Sequence, residues 1–479
     1  MLQEQIAVTQ ARIEELEKPQ TGRSNFVLNN DQLARQRRPA SPTHVRRGSS
    51  MRSQRPIPPS MPTSSSEGIP TAELEPLIHN FLRHSSQFGF FLNVHNFREA
   101  MMGRRGQRPA AVLIDVVNLC AIHLSGLVEF TTQEPRYLSR ALRTAVDAVS
   151  ATQGNGILHR IQAEVLLAHY FLRNTRSLEG NYHLSAAVSL IISSGMHRIR
   201  SAEPAVGVAF TALAPPRDPI EEVERINAFW TVLTLNNCWT TADGSPSNIS
   251  YTDSNTRIDT PWPLDINAPL HDQILPDSGF GTVNGFLANL PDGGVSLAAF
   301  HAKAALLFEQ ASRLASQYHP NMNNIHQFYA SFNSIDTLIE RFKRSLPTVH
   351  SREMLVIHSL AHVATIQLHN PFAADNNNSR VRALDSARAI VAALAQVPGN
   401  AGYIDLIMGT LLMATCQVFV AELGRYRCRR PINSPLTQEE RSLMNAIETV
   451  LAVMNVFAQT CQLINSQLLA MQQLYHGLN

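Results

Sequence analysis

From residue 71 onward the apolar side chains of this chain recur at three- and four-residue intervals, and no stretch alternates with period two for long. That spacing lines one face of a helix and offers nothing to a half-buried strand, so the expected fold class is all-α. Thr71 is placed to cap a first helix carrying Leu74, Leu77, Ile78, Phe81 and Leu82. Val112 to Leu124 reads as a second. Leu138, Ala141, Leu142, Ala145, Val146 and Val149 mark a third, and Ile157, Ile161, Val165, Leu166, His169 and Tyr170 a fourth. A fifth, with Leu184, Ala187, Val188, Ile191 and Ile192, should close on Gly195 as its glycine cap.

After a Pro/Ala-rich break at 201–219, Glu221, Glu222 and Glu224 suit the positive end of a helix dipole, and Ile226, Phe229, Trp230 and Leu233 form that helix's buried face. Residues 243–297 are rich in Gly, Pro, Asn and Asp with little periodicity, and read as a long irregular connection. Helices are then expected at 296–318, 324–345, 350–370, 378–396, 402–425 and 437–475, with no repeat at solenoid periods.

The first 70 residues differ in kind. Leu2, Ile6, Thr9, Ile13 and Leu16 keep a four–three spacing, the seam of a short coiled coil over 1–18 that Lys18-Pro19 stops. The seam is expected to make the chain a homodimer. Two heptads are marginal alone, and an amphipathic helix that docks elsewhere is the alternative. Over 19–70 periodicity disappears. Arg23, Arg35, Arg37, Arg38, Arg46, Arg47, Arg52 and Arg55 lie among Pro, Ser, Gln and Asn, with Asp31 the one acid between Arg23 and Arg55. Such a segment buries too little apolar surface to offset its ordering entropy and is expected to be a disordered basic linker. Its charge suits a nuclear-import signal or a non-specific DNA contact, and Arg46-Arg47-Gly48-Ser49 matches a basophilic kinase site. A linker with no partner is the bland alternative. Residues 71–479 then form the helical domain.

Composition narrows the function. A net charge of +2 over 479 residues leaves any electrostatic role local. Cys120, Cys238, Cys416, Cys428 and Cys461 are scattered, form no CxxC pair, and read as reduced thiols that mostly fill the core. The N-terminus lacks the apolar stretch of a signal peptide. Leu406 to Ala421 is the most apolar segment, but at about 16 residues it falls short of the ~20 that span a bilayer. Thr410, Thr415 and Gln417 also interrupt it, so a buried core helix and a soluble protein with no membrane partner are expected.

No catalytic signature is present: no GxSxG elbow, no phosphate-binding Walker loop, no GxGxxG between strand and helix. Gly279, Gly281 and Gly285 are loop glycines at the wrong spacing. His358 and His362 share one helical face near His350 and His369, but the stretch reads HSLAH and lacks the glutamate base of HExxH. Asp253, Asp259, Glu164 and Glu179 form no acid–base pair by spacing. No catalytic, metal or cofactor residue is therefore assigned, and the chain is expected not to be an enzyme.

Two stretches carry a resemblance. ILHRIQAEVLLAHYFLRNTRSLEGNYHLSAAVSLIISSGMHRIRS (157–201) precedes EEVERINAFWTVLTLNNCWTTADGSPSNISYTDSNTRIDTPWPLD (221–265), and LVIHSLAHVATIQLHNPF (355–372) follows. In this order they resemble the fungal-specific transcription factor domain, the middle homology region of binuclear-zinc-cluster regulators, over roughly 75–400. The family's Gly-Leu-His-Arg stands here as Gly195, Met196, His197 and Arg198, and its Phe-Trp as Phe229 and Trp230. Its Asp-Arg is replaced by Asn236-Asn237, and its Gly-Arg-Pro by Gly244-Ser245-Pro246. The lost charges weaken any contact that depended on them, while the neutral replacements can still hydrogen-bond.

The resemblance implies a nuclear regulator of RNA polymerase II transcription, a multi-helix regulatory domain and, for some members, a small-molecule effector between helices. Tyr170, Phe229, Trp230, Trp239 and Trp262 are expected as core or loop anchors. Family members usually begin with six cysteines holding two zinc ions, and none of the five cysteines here has that spacing. Zinc is thus expected only in an upstream module outside this sequence, and this chain is expected to meet DNA only through that module or non-specifically. A helical interaction scaffold of the same family, with no DNA-binding part, is the alternative reading.

Overall fold

Side chains placed to cap helix starts set where the elements begin. Asp218 accepts the Glu221 N–H ahead of Pro219, Ser296 that of Ala299, Ser351 that of Met354, and Asn376 that of Ser379. Each satisfies one of the donors that a helix leaves free in its first turn. Thr437 and Glu440 close a reciprocal capping box.

The computed structural model describes residues 69, 71–104, 106–147, 156–203, 213–251, 256–267, 275–397, 402–431 and 434–477. Among these the chain is all-α, without strands. Its first half contains α1 (Thr71–Arg83), α2 (Val94–Met101), α3 (Ala111–His123), α4 (Val128–Thr131) and α5 (Glu134–Asp147). It continues with α6 (Gly156–Arg173), α7 (Ser177–Ser193) and α8 (Pro219–Asp243). After α9 (Thr282–Leu287) come α10 (Leu297–Ser316), α11 (Ile325–Ser345) and α12 (Arg352–His369). The last are α13 (Asn377–Leu394), α14 (Ile407–Arg429), α15 (Gln438–Ala458) and α16 (Gln462–His476). The seam Leu2, Ile6, Thr9, Ile13, Leu16 and the arginines Arg35, Arg37, Arg38, Arg46 and Arg47 lie outside the described residues.

One continuous core joins these helices. α10 packs on α8 and α12, α12 on α13 and α14, α6 on α3 and α7, and α16 returns to α6. Helices buried on every side sit in the middle: every residue of α6 from Ile161 to Arg173 is buried, Gln162, Glu164, His169 and Arg173 included. Amphipathic helices lie outside, as α5 does on Tyr137, Ala141 and Ala145. α14 is long and apolar enough to cross a membrane, yet 72% of its apolar window is buried among its neighbours. Its sealed Glu422 pairs with Arg380 at 2.6 Å. Four of the five cysteines are buried, while Cys428 is exposed, and all five are free.

Gly195 follows α7 in the left-handed conformation (φ 71°), as its place after the last periodic residue predicts. Thr71 is the first residue of α1 rather than a cap ahead of it. The helix expected over 437–475 is two. Between α15 and α16, Cys461 is extended, and the buried guanidinium of Arg173 donates to the Thr460 carbonyl at 2.6 Å. That bond satisfies a backbone acceptor in the turn between the two helices.

The connection between α8 and α10 is irregular as expected, with only the short α9 within its described part. It is fastened by the motif at 195–198. Asp259 and Thr260 donate their N–H groups to the His197 carbonyl, and the Thr260 hydroxyl bonds to the Met196 carbonyl at 2.6 Å. The fully buried Asp259 carboxylate accepts from Arg257 (2.8 Å), Ser201 (2.6 Å) and the Gly281 N–H (2.7 Å). These donors outweigh its burial and hold its carboxyl below the usual range. Asp259 is thus a structural staple.

Candidate functional site

Helix α8 buries two faces. The sequence reading found the apolar one, and the structure turns Phe229 and Trp230 into the core, with Trp230 stacked on Trp262 at 4.4 Å. A second, mostly polar stripe runs along the helix: Asn227, Thr231, Thr234 and Cys238, at intervals of four, three and four. It faces a cavity of about 240 Å³. Gly89 to Phe91, residues 263–267, the start of α10, Glu353 and Ile357 of α12, His169 of α6, and Asp405 complete the wall. Gly89 is needed there. Its φ is +66°, and a Cβ would press on His169 and Thr231 at 3.2 Å.

Much of the wall is apolar, from Phe90, Phe91, Trp230, Leu235 and Trp239. Its polar groups are held but not all satisfied. The Asn227 Nδ2 donates to the Leu264 carbonyl at 3.1 Å, leaving Oδ1 without a protein partner. The same is true of His169 Nδ1, His301 Nε2 and Trp239 Nε1. Sealed polar atoms of this kind cost folding energy, about 1–3 kcal/mol each, unless water or a ligand meets them. Burial pushes His169 down to about 4, with Asp405 opposing, and lowers His301 as well. Both imidazoles are therefore neutral at neutral pH. Burial opposes the charge on Glu353, but its own backbone N–H, Ser86, Ser351 and Gln87 hold its carboxyl below the usual range. Convergent polar groups on an aromatic-walled cavity between helices are how proteins hold small molecules.

Of the residues singled out from sequence, Trp230, Trp239 and His169 line this cavity, while the histidines and acids weighed for chemistry lie elsewhere. His358 meets the Pro347 carbonyl at 2.8 Å and His350 the Thr348 carbonyl at 2.8 Å. His369 faces Ser379, Asp336 and Arg382. His362 is pushed by burial down to about 3. Among the described residues no three His, Cys, Asp or Glu side chains gather as a metal site. The acids do not converge either: Glu164 pairs with the buried His183 at 2.7 Å, and Glu179 with Arg176 at 2.8 Å. Asp253 lies outside the described residues.

Asn236 and Asn237 are fully buried. Asn236 takes a hydrogen bond from Asn248 at 3.0 Å and donates to Ser247 at 3.0 Å, so neutral amides tie the end of α8 to the following loop. A larger cavity of about 870 Å³ lies at the N-terminus of α8. Its ions answer one another, with Glu221 held by Arg217 (2.8 Å) and Arg225 (2.5 Å). Burial pushes Glu224 there up to about 7, against the Asn93 N–H and with Asp218 and Glu221 adding to the rise.

The sequence signal for the smaller cavity was the stripe on α8: polar residues recurring with helical period through an otherwise apolar helix. The remaining wall comes from six other places in the chain, and spacing cannot bring those together. No family model, curated protein or solved structure matches the chain.

Proposed function

We propose that this chain is the regulatory region of a fungal transcription regulator, and that its helical domain responds to a small effector held in the cavity beside α8. Contact with DNA is supplied by a module outside this chain, with nuclear localisation and dimerisation assigned to the basic linker and the seam. The observation that carries the effector reading is the wall of that cavity. Four buried polar atoms on four side chains lack a protein partner around a space of metabolite size. The ordered pair of stretches at 157–201 and 221–265 supports the regulator reading, and bonds from Asp259 and Thr260 to the His197 and Met196 carbonyls join the two stretches.

The test joins the full chain to an unrelated DNA-binding domain upstream of a reporter. The expected result is a severalfold change in transcription, up or down, relative to the DNA-binding domain alone. Equal output from the two at equal protein levels contradicts the proposal.

A further inference from the structure

Three carboxylates, Asp265, Glu353 and Asp405, line the cavity, and among the described residues no lysine or arginine does. Glu353 is held by Gln87 at 2.7 Å, by Ser86 at 2.9 Å and by Ser351, all uncharged. Asp405 accepts the Ile407 N–H at 3.0 Å. Among the described residues neither has a cationic side chain within salt-bridge distance. Arg173 lies behind the wall against the Phe88 ring, 5.0 Å from its centre, and Arg352 is turned to the Tyr403 carbonyl at 3.1 Å. Negative charge in a partly desolvated wall is costly unless a cation meets it.

The orphaned atoms point the same way. His169, Trp239 and Asn227 are each more than nine-tenths buried. The Asn227 Oδ1 is an acceptor by nature, while the orphaned His169 Nδ1 and His301 Nε2 each accept or donate according to the tautomer. All three can therefore meet the N–H groups of a guest. The Trp239 N–H alone asks for an acceptor. The rings of Phe90, Phe91, Trp230 and Trp239 in the wall suit an organic cation better than a hydrated metal ion, because a ring quadrupole attracts a positive charge placed over its face. Ordered water would satisfy the orphaned atoms but leave Asp405 and Glu353 without a counter-charge.

We propose that the cavity binds a small organic ammonium ion that also carries one hydrogen-bond acceptor, its charge between Asp405 and Glu353 and its body against the aromatic wall. The inference rests on reading the cavity as an effector site. An organic anion is excluded by like charge.

Isothermal titration calorimetry of the full chain at pH 7.5 tests it with tyramine as the probe, against 2-phenylethylamine, 2-phenylethanol and 3-phenylpropanoate. Tyramine is expected to bind at least about tenfold tighter than the alcohol or the carboxylate. Asp405→Asn is expected to remove most of that preference, and Thr234→Phe, which occupies the cavity from α8, to abolish the heat. Should Asp405→Asn fail to fold, the Thr234→Phe result decides whether the heat belongs to this cavity. Equal binding of all four probes, or preference for the alcohol or the carboxylate, overturns the ammonium assignment and leaves the effector reading standing. No heat from any probe, together with a Thr234→Phe variant that melts higher than wild type, overturns both.

Discussion

Glu224 and His169 are ordinary residues whose surroundings change their chemistry. For Glu224 burial raises the folded-state value to about 7, above the usual carboxylate value, so the folded state holds the proton more tightly. Its contribution to stability is complete below pH ~4.5 and is lost as pH rises through about 7, a window worth at most about 3 kcal/mol. Glu224→Gln keeps an acceptor for the Asn93 N–H and removes the charge. It is predicted to raise the melting temperature at pH 8 and leave it unchanged at pH 4.5, read by thermal melts at the two values. An equal shift at both would show that the gain does not come from the charge. His169 runs the other way. Its value is depressed to about 4, so its neutral form supports folding above pH ~6.5 and that support fades as pH falls through 4.

At the scale of elements, the break between α15 and α16 depends on a residue far away in sequence. Arg173→Met should leave the Thr460 carbonyl without its donor, at a cost of about 1–3 kcal/mol. The expected outcome is a lower urea midpoint and faster amide exchange across α16, with α1 to α5 little changed. Uniform exchange would place the role of Arg173 elsewhere. At the start of α15, Thr437→Ala removes half of the capping box and is predicted to cost about 1 kcal/mol by denaturant titration.

These two elements also show what was legible. The capped start of α15 and the glycine end of α7 are local, so residue types at fixed offsets predict them. The end of α15 is not local, because its determinant sits 287 positions away. The cavity is intermediate. The stripe Asn227, Thr231, Thr234 and Cys238 is visible in sequence, but it reads as a cavity wall only once α6, α10 and α12 are packed around it. The i, i+4 spacing of His358 and His362 is equally visible, but His358 bonds to the Pro347 carbonyl and His362 is lowered by burial, so the pair forms no ligand set.

The whole molecule should be sensitive to acid. Burial pushes His159 and His169 to about 4 and His362 to about 3, so all three bind protons more readily in the unfolded chain. Stability is therefore predicted to fall steadily from pH 6.5 to pH 4, outrunning the opposite trend of Glu224. Denaturant titrations across that interval check it, and a flat profile would contradict the burial of these rings. One continuous core also means that a change at the cavity is felt by the helices on both sides of it.

The account stands most directly on whether the cavity governs output. The measurement is reporter transcription from the tethered full chain, compared between wild type and Thr234→Phe, with melting curves to confirm that both are folded. The account predicts that filling the cavity changes transcription severalfold while the melting temperature stays within a few degrees. Identical transcription from two folded proteins would contradict it.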